Sequence, residues 1–459
     1  MNRREFLSTL AAATPLAAQT RKPNIVFFMY DDLGYANLGC YGQSKISTPH
    51  SDALAKEGTR YTDCYAGGAV CAPSRSVLMS GLHGGHAPVR ANAQTVPLLD
   101  EDWTVAEILK SAGYATGFFG KWGLGDAGTT GAPTRQGFDE FFGYLHQTQA
   151  HNYWPHYLRD GEKKFELPEN LGGKMGRYSA DLIAERAAGF IDKNRERPFF
   201  LLASPTSPHA LYHPPDDKPY SAKALSKGWT QFQKNYASMV TRADAELGML
   251  LARLDKYGLR DNTVVFVTSD NGGPKLPEDG GKFFETNGPL RDYKGSVYEG
   301  GLRVPMIVRW PGRVKAGAVD STPVYFADMM PTFGEIGGAK TPAGIDGASM
   351  WSSAIRRDRF MYWEQNGWDS RTREIPPEGR KTAVRFGEWK ALRNTPAAAL
   401  EIYNLKRDPS EKSEVAASNP KVVAMFEDYL KTARTQPRSH AGGNPEWVGR
   451  KDLPAGTTH

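Results

Sequence analysis

Cys71 stands in unusual company for a cysteine. The chain has three, at 40, 64 and 71, in 459 residues, and this one lies in GGAVCAPSRSVLMSG, beside a proline, a serine and an arginine. Unmodified cysteines are mostly buried as small apolar side chains. One among small polar residues, where a loop becomes a helix, is set for chemistry. Arg75 follows four residues later, one helical turn along. Two apolar runs elsewhere end in oxygen donors: KPNIVFFMYDD in Asp31 and Asp32, and TVVFVTSDNGG in Asp270 and Asn271. Adjacent carboxylates need a cation between them or strongly shifted pKa values. Three carboxylates and an amide oxygen suit a hard divalent ion, Ca²⁺ or Mg²⁺, whereas zinc would ask for more His or Cys. Lys121 in GFFGKWGLG and Lys294 in LRDYKGSVYEGGLRVP are flanked by glycine, which lets backbone approach a ligand closely. His209, in SPTSPHALYHPP, follows a third apolar run. Taken singly, an aspartate at a strand end is commonly a cap or turn, and a lysine is commonly solvated. Adjacent Asp31-Asp32 with a second Asp-Asn pair on another strand is harder to explain by caps and turns.

These residues need a scaffold that brings distant segments together. The runs at 22–32, 197–209 and 263–273 read as strands buried on both faces, as in a parallel sheet. Between them lie helical patterns: STPHSDALAKEG ending at Gly58, TVAEILKSAG ending at Gly113, and an amphipathic stretch over 236–258 ending at Gly258. Strands alternating with helices predict an α/β fold, a large domain over 22–350 with a mostly parallel sheet flanked by helices. Ligands in such folds sit beyond the carboxyl ends of the strands, which is where both acidic pairs fall. From about 350 the texture changes to short strands with turn signals and one helical segment, PKVVAMFEDYLKTAR. This predicts a smaller C-terminal α+β domain over 351–440, with a short antiparallel sheet and a helix, and a loosely ordered tail over 441–459.

Composition narrows the class. Apolar residues make up 40% and charged residues 24%, as in an ordinary globular protein. The formal charge is +6, without a block of Lys/Arg interleaved with aromatics, so nucleic acid is not implied. No run after the first twenty residues is long and apolar enough to span a bilayer. The N-terminus, NRREFLSTLAAATPLAA, pairs Arg3 with Arg4 ahead of Phe6-Leu7 and an alanine-rich stretch. It reads as a twin-arginine export signal over 1–18, implying a bacterial protein exported folded to the periplasm or beyond. Folding would then precede export, in a reducing compartment, and Cys40 and Cys64 are expected as free thiols.

With these residues in place, the chain resembles the type I, formylglycine-dependent sulfatases of the alkaline phosphatase superfamily, along nearly its whole length after the export signal. The most specific match is Cys71-Ala72-Pro73-Ser74-Arg75, which fits the C-x-P-S-R signature. The resemblance implies that a formylglycine-generating enzyme oxidises Cys71 to an aldehyde, and that Asp31, Asp32, Asp270 and Asn271 hold calcium together with residue 71. It further implies that Arg75 steadies the hydrated aldehyde, that Lys121 and Lys294 bind sulfate, and that His209 lies beside the leaving oxygen. As an imidazolium, His209 would protonate the departing alcohol. One departure stands out. The family commonly reads G-K-W-H-L-G where this chain has GKWGLG, so Gly123 replaces a histidine that contacts the formylglycine. His151, in QAHNYWPHY, is the candidate substitute, with substrate contact as its other reading.

Two other readings compete with a sulfatase. A phosphomonoesterase or phosphodiesterase of the same superfamily would use an unmodified Ser or Thr and often two transition metals with several His ligands; Cys71 and Asn271 argue against it. A non-catalytic glycan-binding descendant would not need every charged site position, and all are present. Stretches 81–92 and 142–161 are rich in His, Arg, Asn, Tyr and Trp, which suit a sugar ring. They point to a sulfated carbohydrate, with Arg90, Asn92 and His151 as candidate contacts.

Overall fold

Along the first strand, Ile25, Phe27 and Met29 pack into one apolar core while Val26, Phe28 and Tyr30 pack into another. Successive strand residues point to opposite faces, so a continuous apolar run is the mark of a strand covered on both sides. The same split holds for Phe200 and Leu202 against Phe199 and Leu201, and for Val264 and Phe266 against Val265 and Val267. The result is a sheet between two helical layers. One layer comprises the helices Cys71–Ser80, Val105–Ser111 and Met329–Gly337; the other comprises Pro49–Glu57, Ser179–Asn194 and Gln231–Lys256.

These features come from a computed structural model that describes residues 21–438 apart from 94, 95, 357, 370 and 373. The expected export signal, 1–18, and the tail, 441–459, lie outside the described residues. The large sheet has eleven strands: β1 (Asn24–Tyr30), β2 (Thr59–Tyr65), β3 (Ala115–Lys121), β4 (Glu140–Tyr144), β5 (Tyr157–Asp160), β6 (Lys163–Glu166), β7 (Phe199–Ser204), β8 (Thr263–Ser269), β9 (Arg303–Arg309), β10 (Ala318–Asp320) and β11 (Val324–Tyr325). Their order is β10-β2-β9-β8-β1-β7-β3-β4-β5-β6, with β11 beside β2. The centre, β8-β1-β7-β3-β4, is parallel. Strand β9 runs antiparallel to both neighbours, and β5 and β6 close one edge as an antiparallel hairpin.

Local chemistry sets the helix ends. Thr104 and Thr230 each form a capping box, with Glu107 and Gln233. The second box starts its helix at Gln231, five residues before the periodic stretch read from the sequence. Near the C-terminus, β12 (Phe360–Gln365), β13 (Lys381–Phe386), β14 (Trp389–Arg393) and β15 (Glu401–Asn404) form a four-stranded antiparallel sheet. Its Tyr362, Val384, Ala391 and Ile402 pack with Phe426 of the helix Pro420–Leu430. Its Met361, Trp363, Ala383 and Leu392 join a core of the large sheet. Lys390, fully buried, bridges Glu299 and Glu411 at 2.8 Å each, tying the small sheet to the segment just after Lys294. All three cysteines are free. No helix among the described residues is long and apolar enough to cross a membrane.

Candidate active site

Strands β1 and β8 are parallel neighbours in the register Tyr30↔Ser269. Asp31-Asp32 and Asp270-Asn271 therefore leave the sheet side by side. Asp32 adopts φ 65°, a left-handed conformation that costs a non-glycine residue about 1–2 kcal/mol. The neighbouring strand end holds it there: Asp32 N donates to Asp270 Oδ1 at 3.1 Å, and Asn271 Nδ2 donates to Asp32 Oδ1 at 2.7 Å.

Cys71 opens the helix Cys71–Ser80, and its neighbours build the turn that delivers it. Ser74 Oγ accepts from Gly67 N at 3.0 Å. A Cβ on Gly67 would lie 2.4 Å from Val77 Cβ, so only glycine lets the loop pass the helix. Pro73 sits in the first turn, where its missing N–H is not needed. Ala72 N donates to Asn92 Oδ1 at 2.9 Å, satisfying one unpaired donor of the helix start. Cys71 Sγ lies 3.5 Å from Asp31 Oδ1 and 3.4 Å from Lys121 Nζ. Burial pushes its thiol well above the ordinary range despite Lys121 and Lys294, so the unmodified side chain is not a thiolate nucleophile.

Arg75 is 2% exposed. It donates to the Lys121 carbonyl, to Ser204 Oγ at 2.7 Å and to Asp270 Oδ2 at 2.8 Å. It thus locks the Cys71 helix to the ends of β3, β7 and β8. Removing one partner of a buried ion pair leaves the other charge stranded. Arg75→Ala is therefore expected to destabilise the fold by about 3–5 kcal/mol, read as a lower urea midpoint at unchanged m-value; an unshifted midpoint would refute the lock.

Two lysines face the acidic pair. Lys121 Nζ is 2.7 Å from Asp31 Oδ2, and Lys294 Nζ is 2.7 Å from Asp32 Oδ2. Burial acts to neutralise both lysines, but the aspartates more than compensate and hold their pKa values above the usual lysine range. Burial likewise acts to raise Asp31, yet Lys121 and the other cations hold it well below the usual carboxylate range. Asp32 is lowered in the same way against its own burial. Burial and the Asp31 charge push Asp270 up to about 6 in spite of Arg75. Such crowding is what a bound cation relieves.

His209 Nε2 lies 3.3 Å from Asp32 Oδ2 and 3.0 Å from Lys294 Nζ. Its Nδ1 donates to the Ala210 carbonyl at 2.7 Å, leaving Nε2 to accept from Lys294. Burial lowers its pKa to about 4 against the pull of Asp32. Tyr153, which had no sequence signal of its own, steadies this loop by donating to the Thr206 and His209 carbonyls at 2.7 and 2.9 Å. The His151 ring lies 4.4 Å from that of His209, and burial lowers its pKa to about 3.

The donor set fits a hard cation. Asp31, Asp32, Cys71 and His209 each offer a ligand atom, all within 4.8 Å of one another. Asn271 is fully buried, and its Oδ1 has no hydrogen-bond partner while its Nδ2 is engaged twice. Three carboxylates oppose three cations, Arg75, Lys121 and Lys294, so a divalent ion would tip the site positive, as an anionic substrate requires.

Stretch 81–92 is mostly structural, which corrects one expectation. Arg90, a candidate sugar contact, is buried and donates to the Ala87 carbonyl and to the carbonyl and Oγ1 of Thr435, pinning the returning C-terminal segment. Its guanidinium is occupied by backbone that needs donors there. His83 and His86 engage Asp346. Asn92, whose carbonyl supports the Cys71 helix start, is the residue of this stretch that reaches the site.

Residues 23–339 match the family model described as Sulfatase, and residues 292–436 match the model for the C-terminal region of N-sulphoglucosamine sulphohydrolase. Arylsulfatase A of Homo sapiens is 31% identical, over 98% of this chain and 95% of its own length. The N-acetylgalactosamine-6-O-sulfatase of Bacteroides thetaiotaomicron is 30% identical, over 91% of this chain and 94% of its own. The crystal structure of Ps i-CgsB in complex with k-i-k-neocarrahexaose superposes with a TM-score of 0.79 at 30% identity, covering 91% of this chain and 95% of that one.

Proposed function

This chain belongs to the sulfatase family and is a sulfuric ester hydrolase, and from that premise we propose that it removes sulfate from a sulfated carbohydrate with a formylglycine made from Cys71 and a bound calcium ion. The observation that carries this reading is the meeting at Cys71 Sγ of Asp31 and Lys121, 3.5 and 3.4 Å away, on a thiol that burial disarms as a nucleophile. The carbohydrate follows from the names of two relatives, one acting on N-acetylgalactosamine 6-O-sulfate and one bound to a neocarrahexaose.

Asp31, Asp32, Asp270 and Asn271 would hold the ion, which supplies positive charge against the sulfate oxygens. A hydrated aldehyde at residue 71 would supply one hydroxyl as nucleophile toward sulfur, with Asp270 nearby to accept its proton, and a second whose deprotonation would release sulfate and restore the aldehyde. Lys121 and Lys294 flank the position of the sulfate group and offset the charge of its oxygens as the S–O bond breaks. Arg75 fixes the helix that presents residue 71. His209 Nε2 lies 3.0 Å from Lys294 Nζ and, once protonated, would deliver its proton to the departing alcohol, while Lys294 keeps its charge. The neutral His151 ring is the acceptor we assign where Gly123 replaces the family's histidine. We also take 22–350 and 351–440 as the two domains, a formylglycine-generating enzyme as the maturation partner, and the periplasm or the extracellular space as the destination set by residues 1–18.

Matched aryl sulfate and aryl phosphate substrates test the reading, assayed on protein co-produced with a formylglycine-generating enzyme. Sulfate release is expected to dominate and to fall on removal of divalent cations with a chelator. Faster hydrolysis of the phosphate would overturn it.

A further inference from the structure

Gly123 adopts φ 78°, and a Cβ built on it would lie 1.9 Å from Gln147 Nε2 and 2.7 Å from Gln147 Cδ. The absence of a side chain at 123 thus makes room for the amide of Gln147. The two positions are neighbours because the β3–β4 pairing runs on past the strand ends. Lys121 is paired with Tyr144, Trp122 N donates to the Tyr144 carbonyl at 2.9 Å, and Gly123 N donates to the Leu145 carbonyl at 3.0 Å. The Gln147 amide therefore abuts the backbone two residues beyond Lys121, whose Nζ touches Cys71 and Asp31.

Gln147 is 7% exposed, and its Nε2 is buried without a hydrogen-bond partner. An unpaired buried donor is costly, and native proteins rarely keep one without a use for it. The segment around it is fixed: His146 Nδ1 accepts from Thr148 N at 3.1 Å, and the turn Gln149–His151 sets the His151 ring against His209. A rigid segment that borders the site at His151 also carries a vacant amide donor near Lys121.

We propose that Gln147 is a substrate-binding residue whose Nε2 donates a hydrogen bond to an oxygen of the sulfate group held by Lys121 and Lys294. The inference rests on the sulfatase reading above. An amide N–H₂ needs an acceptor, and the nearby lysines select an anionic one. An amide is no base at neutral pH, so Gln147 supplies binding and leaves proton acceptance to another group.

The test compares wild type, Gln147→Ala and the isosteric Gln147→Glu, all matured, on an aryl sulfate with inorganic sulfate as competitor. A hydrogen bond to a charged group implies a loss of kcat/KM on the order of 10- to 100-fold for Gln147→Ala, with a parallel rise in the inhibition constant for sulfate and unchanged metal content. Gln147→Glu, which sets a carboxylate against the oxyanion and preserves volume, is expected to lose more. A structural role alone would lower the melting temperature and leave sulfate inhibition untouched; that result overturns the proposal, as does wild-type behaviour of Gln147→Glu. If the wild type itself neither turns over the aryl sulfate nor binds sulfate, the sulfatase reading fails first, and the variants are not needed to show it.

Discussion

Cys71→Ala is expected to fold with stability within about 1–2 kcal/mol of wild type and to lose sulfatase turnover by a factor on the order of 10⁴ or more, as enzymes do when the nucleophile is removed. The side chain is buried at the start of a helix whose other contacts run through Ser74, Arg75 and Asn92, so the scaffold does not depend on its sulfur. Cys71→Ser sharpens the point. It keeps an oxygen nucleophile of the kind unmodified hydrolases use, yet it cannot release sulfate by forming an aldehyde. It is expected to be as inactive as Cys71→Ala in a host that does not convert serine. A Cys71→Ala protein with wild-type turnover would end the account of residue 71.

Asp31→Asn should produce the second-largest loss. Asp31 is the carboxylate that faces both Cys71 Sγ and Lys121 Nζ. The substitution preserves shape while removing an anionic oxygen donor, which weakens a hard-cation site. It also removes the charge that holds Lys121 in place. The expected outcome is calcium content below wild type by elemental analysis and a turnover loss of ~10²–10³-fold, the scale for one electrostatic stabiliser. Full activity with stoichiometric calcium in Asp31→Asn would remove Asp31 from the ligand set, and a fully active metal-free wild type would remove the ion.

Much of the site was legible because it hangs on strand ends. The runs before Asp31 and Asp270 are apolar without a break over 25–30 and 264–267, and that continuity marks strands inside a parallel sheet; once β1 and β8 are neighbours, the acidic pairs must meet. Arg75 was legible through its one-turn spacing from Cys71. Lys121 stands out in the sequence only by its glycine neighbours, and its place as the last residue of β3 is what aims it at Asp31. The signals that failed are long-range. Arg90 looked like a sugar contact from its polar surroundings, but its partner, Thr435, lies 345 residues away. Gln147 lies in the polar stretch 142–161 but nothing there singles it out, since its role depends on the left-handed backbone at Gly123 and on the β3–β4 register. The contact of His209 with Lys294 is likewise invisible in SPTSPHALYHPP, since the two residues lie 85 positions apart.

The most direct measurement is peptide mass spectrometry of residues 61–75, the tryptic peptide between Arg60 and Ser76, from protein co-produced with a formylglycine-generating enzyme. The peptide contains two cysteines, Cys64 and Cys71, so it carries its own control. Cys64 is a buried thiol in the sheet and should be alkylated after denaturation. The account predicts a single alkylation, at Cys64, with residue 71 lighter by the exchange of hydrogen sulfide for one oxygen and reactive toward a hydrazide. Two alkylated cysteines in a preparation that hydrolyses an aryl sulfate at full rate would contradict it.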